Sequence, residues 1–249
     1  MIMPFYFSKQ RAAGAGFSLP PSPGAPAVVT GIFIVLLAVC NVHLFSAADA
    51  SILCYNTTAI TNGEWWRIIS HPFVHVSWYH LILDAAAVAI LWQETKLGST
   101  LHKLFAAGCC SAGSLVVSLL MSSLIDQYGL CGLSGTAHGL MFFLGLSWIF
   151  GNSSAPERNR YIRLAAGTLL AAASGLKSVH EVSSGHVLFA SLHTGNLGIP
   201  IVESHLGGIV GGLFAFLLLR GFQNIHRKAS AKSMANNSFS DDQTQDVLE

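Results

Sequence analysis

Apolar residues along this chain collect into six stretches of membrane length or close to it, separated by short polar runs. They cover Ala27 to about Ala48, His80 to about Trp92, Leu101 to Ile125, Leu130 to Phe150, Tyr161 to about Leu176 and His205 to Phe222. The hydrocarbon core of a bilayer needs roughly 20 consecutive apolar helical residues. The pattern therefore predicts an all-α, polytopic membrane protein whose second span is short. The small residues Ser46-Ala47-Ala48 would also suit a cleaved signal peptide. The polar lead-in is long for such a leader and so is the apolar run, which favours a span. Residues 49–79 hold Trp65, Trp66, His71, Phe73, His75 and Trp78 and do not read as a span. Tryptophan prefers the membrane–water boundary, so this segment is expected to lie along the bilayer surface between helices 1 and 2. Three units follow: a flexible cytoplasmic tail over residues 1–26, a six-helix membrane domain over 27–222, and a polar, disordered tail over 223–249.

Composition sharpens this picture. Of the 249 residues, 52% are hydrophobic and only 10% charged, where soluble domains carry about 25% charged residues. A net charge of +1 provides no basic stripe to neutralise phosphates, which argues against nucleic acid as a partner. The five cysteines (Cys40, Cys54, Cys109, Cys110 and Cys131) are odd in number and fall mostly in apolar stretches. They read as thiols rather than a disulfide framework. With the amino terminus inside, every basic residue except Arg67 and Lys177 falls on the cytoplasmic side, eleven of thirteen. That asymmetry is the positive-inside tendency, and it places both ends of the chain in the cytoplasm.

This topology aligns four unusual polar residues. Spans two, four and six all begin at the outer face, with His80 and Asp84 on the second, Ser134 on the fourth and His205 on the sixth. Ionisable groups inside a span are costly and usually face a cavity or a partner. Gly135 and Gly139 are four apart on span four, and Gly208 and Gly212 are four apart on span six, with Gly207 and Gly211 alongside. Such faces let helices pack closely in lipid, and if the two faces meet, His205 lies over the seam toward Ser134. Taken alone, a Gly-x-Ser-Gly in an apolar segment is more often a packing feature, with the serine as interhelical glue. Residues 126–133 contain Gly129 and Gly132 and are expected to dip inward as irregular backbone, which lipid tolerates only beside protein or a wet cavity.

Taken together, the motifs resemble those of the rhomboid family of intramembrane serine proteases, over about Glu64 to Phe222. Glu64-Trp65-Trp66-Arg67 followed by His71, His75, His80 and Asp84 is similar to the family's WR…H…H…HxxxN region. Gly132-Leu133-Ser134-Gly135 is similar to its GxSG, and His205-Leu206-Gly207-Gly208 through Gly212 to its HxxGxxxG. The resemblance implies a six-transmembrane-helix bundle, no cofactor and no metal. It also implies a two-residue catalytic unit, with Ser134 as nucleophile and His205 as general base. His80 would donate to the oxyanion, with Gly132 and Asp84 in support. Asp84 departs from the family's usual asparagine: it either donates when protonated or, the favoured reading, orients His80. His138, one turn after Ser134, stands where the family places an aromatic that stacks on the base, and it is also an alternative base.

His138-Gly139 further resembles the bacterial rhombosortase branch, whose substrates end in a Gly-Gly sorting segment. Substrates would be other transmembrane proteins, in lipid, at a bacterial inner membrane. Imidazole clusters can also bind metal, but His71, His75 and His80 have no evident carboxylate or thiol to complete a set, and hydrogen bonding within their segment is the plainer role. The competing functions are a catalytically inactive rhomboid-like protein that binds membrane helices and, further off, a small transporter.

Overall fold

A computed structural model describes residues 25–46, 49, 52–95, 97, 99–151, 157–188 and 190–245; the tail expected over 1–26 lies outside these apart from its last two positions. Six longer helices carry the fold: α1 (Ala25–Cys40), α4 (Trp78–Glu94), α5 (Thr100–Met121), α7 (Ser134–Phe150), α8 (Glu157–Ser184) and α9 (Glu203–Gln245). Between them lie the short helices α2 (Thr57–Thr61), α3 (Arg67–Ser70) and α6 (Leu124–Tyr128). The all-α bundle expected from hydropathy is what forms. Helix α5 and the Glu203–Ile225 part of α9 are long and apolar enough to cross a membrane, while Ala27–Cys40 and Ser134–Phe150 are shorter apolar helices.

Side chains explain where several helices stop or start. The first apolar run continues to Ala48, yet α1 ends at Cys40 because the buried Asn41 turns the chain. Its amide donates to the carbonyls of Leu37 (2.8 Å) and Phe73 (2.7 Å) and accepts from the His75 N–H (2.8 Å). Ser77 caps α4, its hydroxyl accepting from the His80 N–H at 3.1 Å, which fixes the start of a helix that the short apolar run leaves open. The segment Arg67–Phe73 meets α4 at a bend of 94°. It therefore lies crosswise to that helix, in keeping with a surface segment.

Two helices run longer than hydropathy indicates. The fifth apolar stretch reads as ending near Leu176, but α8 continues to Ser184. Lys177 and Glu181 look like the end of a span in sequence; here they pair with each other at 2.6 Å and stay helical. Helix α9 continues past Phe222 to Gln245, through the stretch whose composition suggests a disordered tail. No proline or second glycine after Gly221 interrupts it, and loss of hydropathy alone does not end a helix.

The centre of the bundle is a glycine seam. A Cβ on Gly208 would fall on the Gly135 carbonyl, and one on Gly139 on the Gly208 carbonyl, so α7 and α9 touch backbone to backbone. On the other side of α9, Gly207 and Gly211 meet Gly113 and Cys109 of α5 in the same way. Helix α9 is thus held between α5 and α7, and α8 covers α7 through Gly145 and Gly167. Close approach of this kind gives dispersion contact where lipid leaves little hydrophobic drive between helices. The apolar core around the seam includes Cys110, Leu133, Leu140, Phe143 and Ala215.

Candidate active site

The seam brings the first turn of α7 against the first turn of α9. Ser134 is the first residue of α7, and His205 is the third of α9. Their side chains meet, with Ser134 Oγ 3.2 Å from His205 Nε2. The approach to Ser134 runs through Gly132, whose φ of +98° is a left-handed conformation that suits glycine. Space adds a second requirement: a Cβ there would sit 2.8 Å from the His80 ring and 3.2 Å from Asp84 Oδ2. The Gly132 N–H donates to the His71 carbonyl at 3.1 Å, tying this loop to the surface segment.

Behind His205 stands a residue the sequence reading missed. Glu181, fully buried on α8, holds Oε2 2.7 Å from His205 Nδ1. Its other oxygen accepts from Lys177 Nζ at 2.6 Å and from the Leu188 N–H at 2.8 Å. A carboxylate can only accept, so His205 Nδ1 carries the proton and Nε2 offers its lone pair to the Ser134 hydroxyl. The expectation of a unit needing no carboxylate behind the base therefore meets a carboxylate in hydrogen-bond contact. The sequence holds a faint signal for it: Lys177 and Glu181 are four apart and share a helical stripe with the buried Ser174 and Ser178. Reading Lys177 as a marker of the span's end hid that stripe.

His138 lies against the same group. Its ring stacks on that of His205, with centroids 4.0 Å apart and planes 13° from parallel. His138 Nδ1 is 2.8 Å from the Ser134 carbonyl, and Nε2 is 2.9 Å from Lys177 Nζ. A carbonyl accepts and an ammonium donates, so Nδ1 bears the hydrogen and the ring is neutral. Both nitrogens are thus occupied away from Ser134 Oγ. His138, Glu181 and His205 place ligand-type atoms within 4.8 Å of one another, the one such trio among the described residues. The Lys177 ammonium bonds to two of the three, so a fixed organic cation already occupies the ground a metal would need.

On the opposite side of Ser134, His80 Nε2 lies 3.2 Å from Asp84 Oδ2, one helical turn on. His75 Nε2 approaches the same oxygen at 3.5 Å. His75 was expected to hydrogen-bond within the surface segment; instead it is fully buried against Asp84. His71 does follow that expectation: its Nδ1 reaches the Ile68 and Arg67 carbonyls at 3.0 and 3.2 Å, and burial pushes its pKa down to about 4. Arg67 anchors the segment, donating to the Cys54 carbonyl at 2.9 Å and to Glu64 at 2.7 Å.

Ser134, His205, His80, Asp84 and Lys177 all line one cavity of about 380 Å³. Val76, Leu83, Ala87 and Ile199 give it an apolar wall. Residues 190–200 lie at its edge, where Tyr79 Oη is 3.1 Å from His193 Nδ1 and the Ser77 hydroxyl donates to the Asn196 carbonyl.

Comparison with known proteins bears on the family of the chain. No curated protein matches the chain. The family model described as Rhomboid domain matches residues 62–222, more than half of the chain and nearly the stretch over which the motifs run. His80, Asp84, Ser134, Glu181 and His205 and the glycines between α7 and α9 all lie inside that match, and the chain belongs to the rhomboid family of intramembrane proteases.

Proposed function

We propose that this integral membrane protein is an intramembrane serine endopeptidase that cuts transmembrane or C-terminal membrane-anchor segments of other proteins. The observation that carries the reading is the file Ser134 Oγ, His205 Nε2, His205 Nδ1, Glu181 Oε2, with separations of 3.2 Å and 2.7 Å at its two hydrogen-bonding steps. A weak nucleophile is activated when a neighbouring base takes its proton and a third group orients the base. Ser134 Oγ attacks the scissile carbonyl while its proton passes to His205 Nε2. The imidazolium that results is stabilised by Glu181 and returns the proton to the leaving amine. Water, activated by the same histidine, then releases the acyl group.

Charge on the carbonyl oxygen is met from the other side. The Ser134 N–H lies in the first turn of α7, where backbone donors lack a helical acceptor, and its partial positive charge favours an oxyanion. His80 is the side-chain donor, through the Nε2 hydrogen that it shares with Asp84 Oδ2. Asp84 orients His80 rather than contacting the oxyanion, which makes sense of a carboxylate where the family usually has asparagine. Lys177 shares the charge of Glu181 and, by bonding to His138 Nε2, keeps the stacked ring neutral beside the developing imidazolium. His138 is therefore a stacking partner and not the base.

The basic-residue asymmetry supports placing both termini in the cytoplasm and the site toward the outer leaflet of a bacterial inner membrane, with residues 27–222 as the membrane domain. The His138-Gly139 pair after the Gly-Leu-Ser-Gly run supports a rhombosortase specificity, in which the substrate segment carries a Gly-Gly pair. Glycines unwind a helix readily and so expose a peptide bond to Ser134.

A second reading, an inactive helix-binding member of the family, is favoured by one observation only, the carboxylate of Asp84 beside the oxyanion position. One experiment separates the two. A fluorophosphonate probe labels the wild-type protein in membranes and labels neither Ser134→Ala nor His205→Ala. Absence of wild-type label where a control serine protease is marked would leave the binder.

A further inference from the structure

Two thiols outside the proton file face one another three residues before the nucleophile. Tyr55 and Leu130 exchange both backbone hydrogen bonds, Tyr55 N–H to the Leu130 carbonyl at 2.9 Å and Leu130 N–H to the Tyr55 carbonyl at 3.1 Å. In an antiparallel pairing the next opposed pair is a non-hydrogen-bonded one. Its Cα atoms lie about 4.5 Å apart, with both side chains on the same face. That pair is Cys54 and Cys131. Disulfides span Cα separations of about 4.4–6.8 Å, so closure needs no backbone movement of consequence.

The two thiols are close enough for each to act on the ionisation of the other. They also differ from Cys40 and Cys110, which are buried, in being only partly covered. Each backbone is pinned to one surface segment: Arg67 holds the Cys54 carbonyl, Ser70 Oγ donates to the Leu53 carbonyl at 2.7 Å, and the His71 carbonyl receives the Gly132 N–H. Cysteine counting alone could not find this pairing, because the two residues are far apart in the chain and the total is odd.

We propose that Cys54 and Cys131 are a redox pair whose disulfide ties the strap at residues 52–55 to the loop that presents Ser134. Formation is a thiol–disulfide exchange with an external disulfide, that of an oxidoreductase or a small-molecule thiol couple. The Cys54 thiolate attacks one sulfur of that disulfide, forming a mixed disulfide and expelling a thiolate. The Cys131 thiolate then attacks the Cys54 sulfur and expels the second. Two thiol protons and two electrons leave the protein, and the oxidant ends as two thiols. The Cys131 S–H donating to Cys54, with Arg67 adding to it, holds the Cys54 thiol below its ordinary range despite burial and Asp49. This makes Cys54 the attacking sulfur.

Oxidising conditions are found outside the cytoplasm, so the proposal rests on the orientation given above. The consequence is local. Gly129 and Gly132, both at positive φ, bracket Cys131; the bond adds a covalent tie to a loop that hydrogen bonds alone hold to the strap, three residues before Ser134.

The test uses the full chain in its native membranes. Maleimide-polyethylene glycol added before reduction should modify two fewer cysteines than after reduction, and Cys54→Ser or Cys131→Ser should restore the missing reactivity of the remaining partner. After reduction, a membrane-impermeant maleimide should reach the pair in intact spheroplasts. Full modification before reduction overturns the proposal, as does labelling by the impermeant reagent only after the membrane is opened. Fluorophosphonate labelling at ambient temperature reads Ser134 independently, and its loss would count against the protease reading alone. On warming, retention of label should fall at least threefold faster in reduced protein than in oxidised protein. The Cys54→Ser/Cys131→Ser double variant should match the reduced protein and ignore reductant. Equal loss in oxidised and reduced wild type would overturn the proposed tethering.

Discussion

Two histidine–carboxylate assemblies flank Ser134, and they are built differently. On one side Glu181 accepts from His205, Lys177 and the Leu188 N–H, all at 2.6–2.8 Å. On the other side Asp84 meets His80 and His75 at 3.2 and 3.5 Å, and buried polar atoms of all three lack a hydrogen-bond partner. The first assembly is closed: both oxygens of Glu181 accept hydrogen bonds, and the tautomer of His205 is determined. The second is open, and unpaired buried polar groups are expensive unless something completes them. On the proposed reading, the difference separates a base set before substrate arrives from an oxyanion donor, His80, that finds a second acceptor only in the reacting carbonyl.

Breaking the closed side should cost most. Glu181→Gln keeps the shape but lets the amide present a hydrogen to His205 Nδ1, favouring the wrong tautomer. We expect turnover to fall roughly 10³-fold with KM little changed, and Glu181→Asp to recover part of it, as measured on a membrane-anchored reporter substrate. A proportional rise in KM would mean that Glu181 only shapes the cavity. On the open side, His80→Ala removes a donor and should cost about 10²-fold in kcat. Asp84→Asn should cost only about tenfold, because the amide oxygen can still receive His80. A gain in activity from Asp84→Asn would show that the carboxylate repels the oxyanion instead of orienting its donor. The smallest effect is expected at the stacked ring. His138→Phe keeps the face against His205 and should stay within about threefold of wild type, whereas total loss would make His138 the base.

Much of the fold could be read from periodicity and composition. Six apolar stretches, asymmetric positive charge and paired glycines on the fourth and sixth stretches suffice to bring His205 toward Ser134, because small-residue faces leave few other ways to pack. The motif spacing also locates His80, Asp84 and Gly132 near Ser134, and the structure brings His80 and Asp84 to its cavity with Gly132 packed against both. Hydropathy failed where charge pairs within a helix. Lys177 and Glu181 cancel each other and stay inside, so the scale marks a boundary where none exists. His75 was misplaced for a related reason: it sits in a loop by sequence, yet Asn41, just past α1, accepts from its N–H and draws it into the interior.

The chain by itself determined its class, its number of long helices and the place of its central hydroxyl at the start of an apolar helix, since these follow from local pattern and residue type. Only the tertiary structure decided which carboxylate stands behind His205, which of its ring nitrogens faces Ser134 and which two of five thiols oppose one another. Those facts depend on contacts between residues 24 to 77 positions apart. Sequence order carries no direct record of such distances; they are settled when α7, α8 and α9 pack around glycines too small to keep them apart.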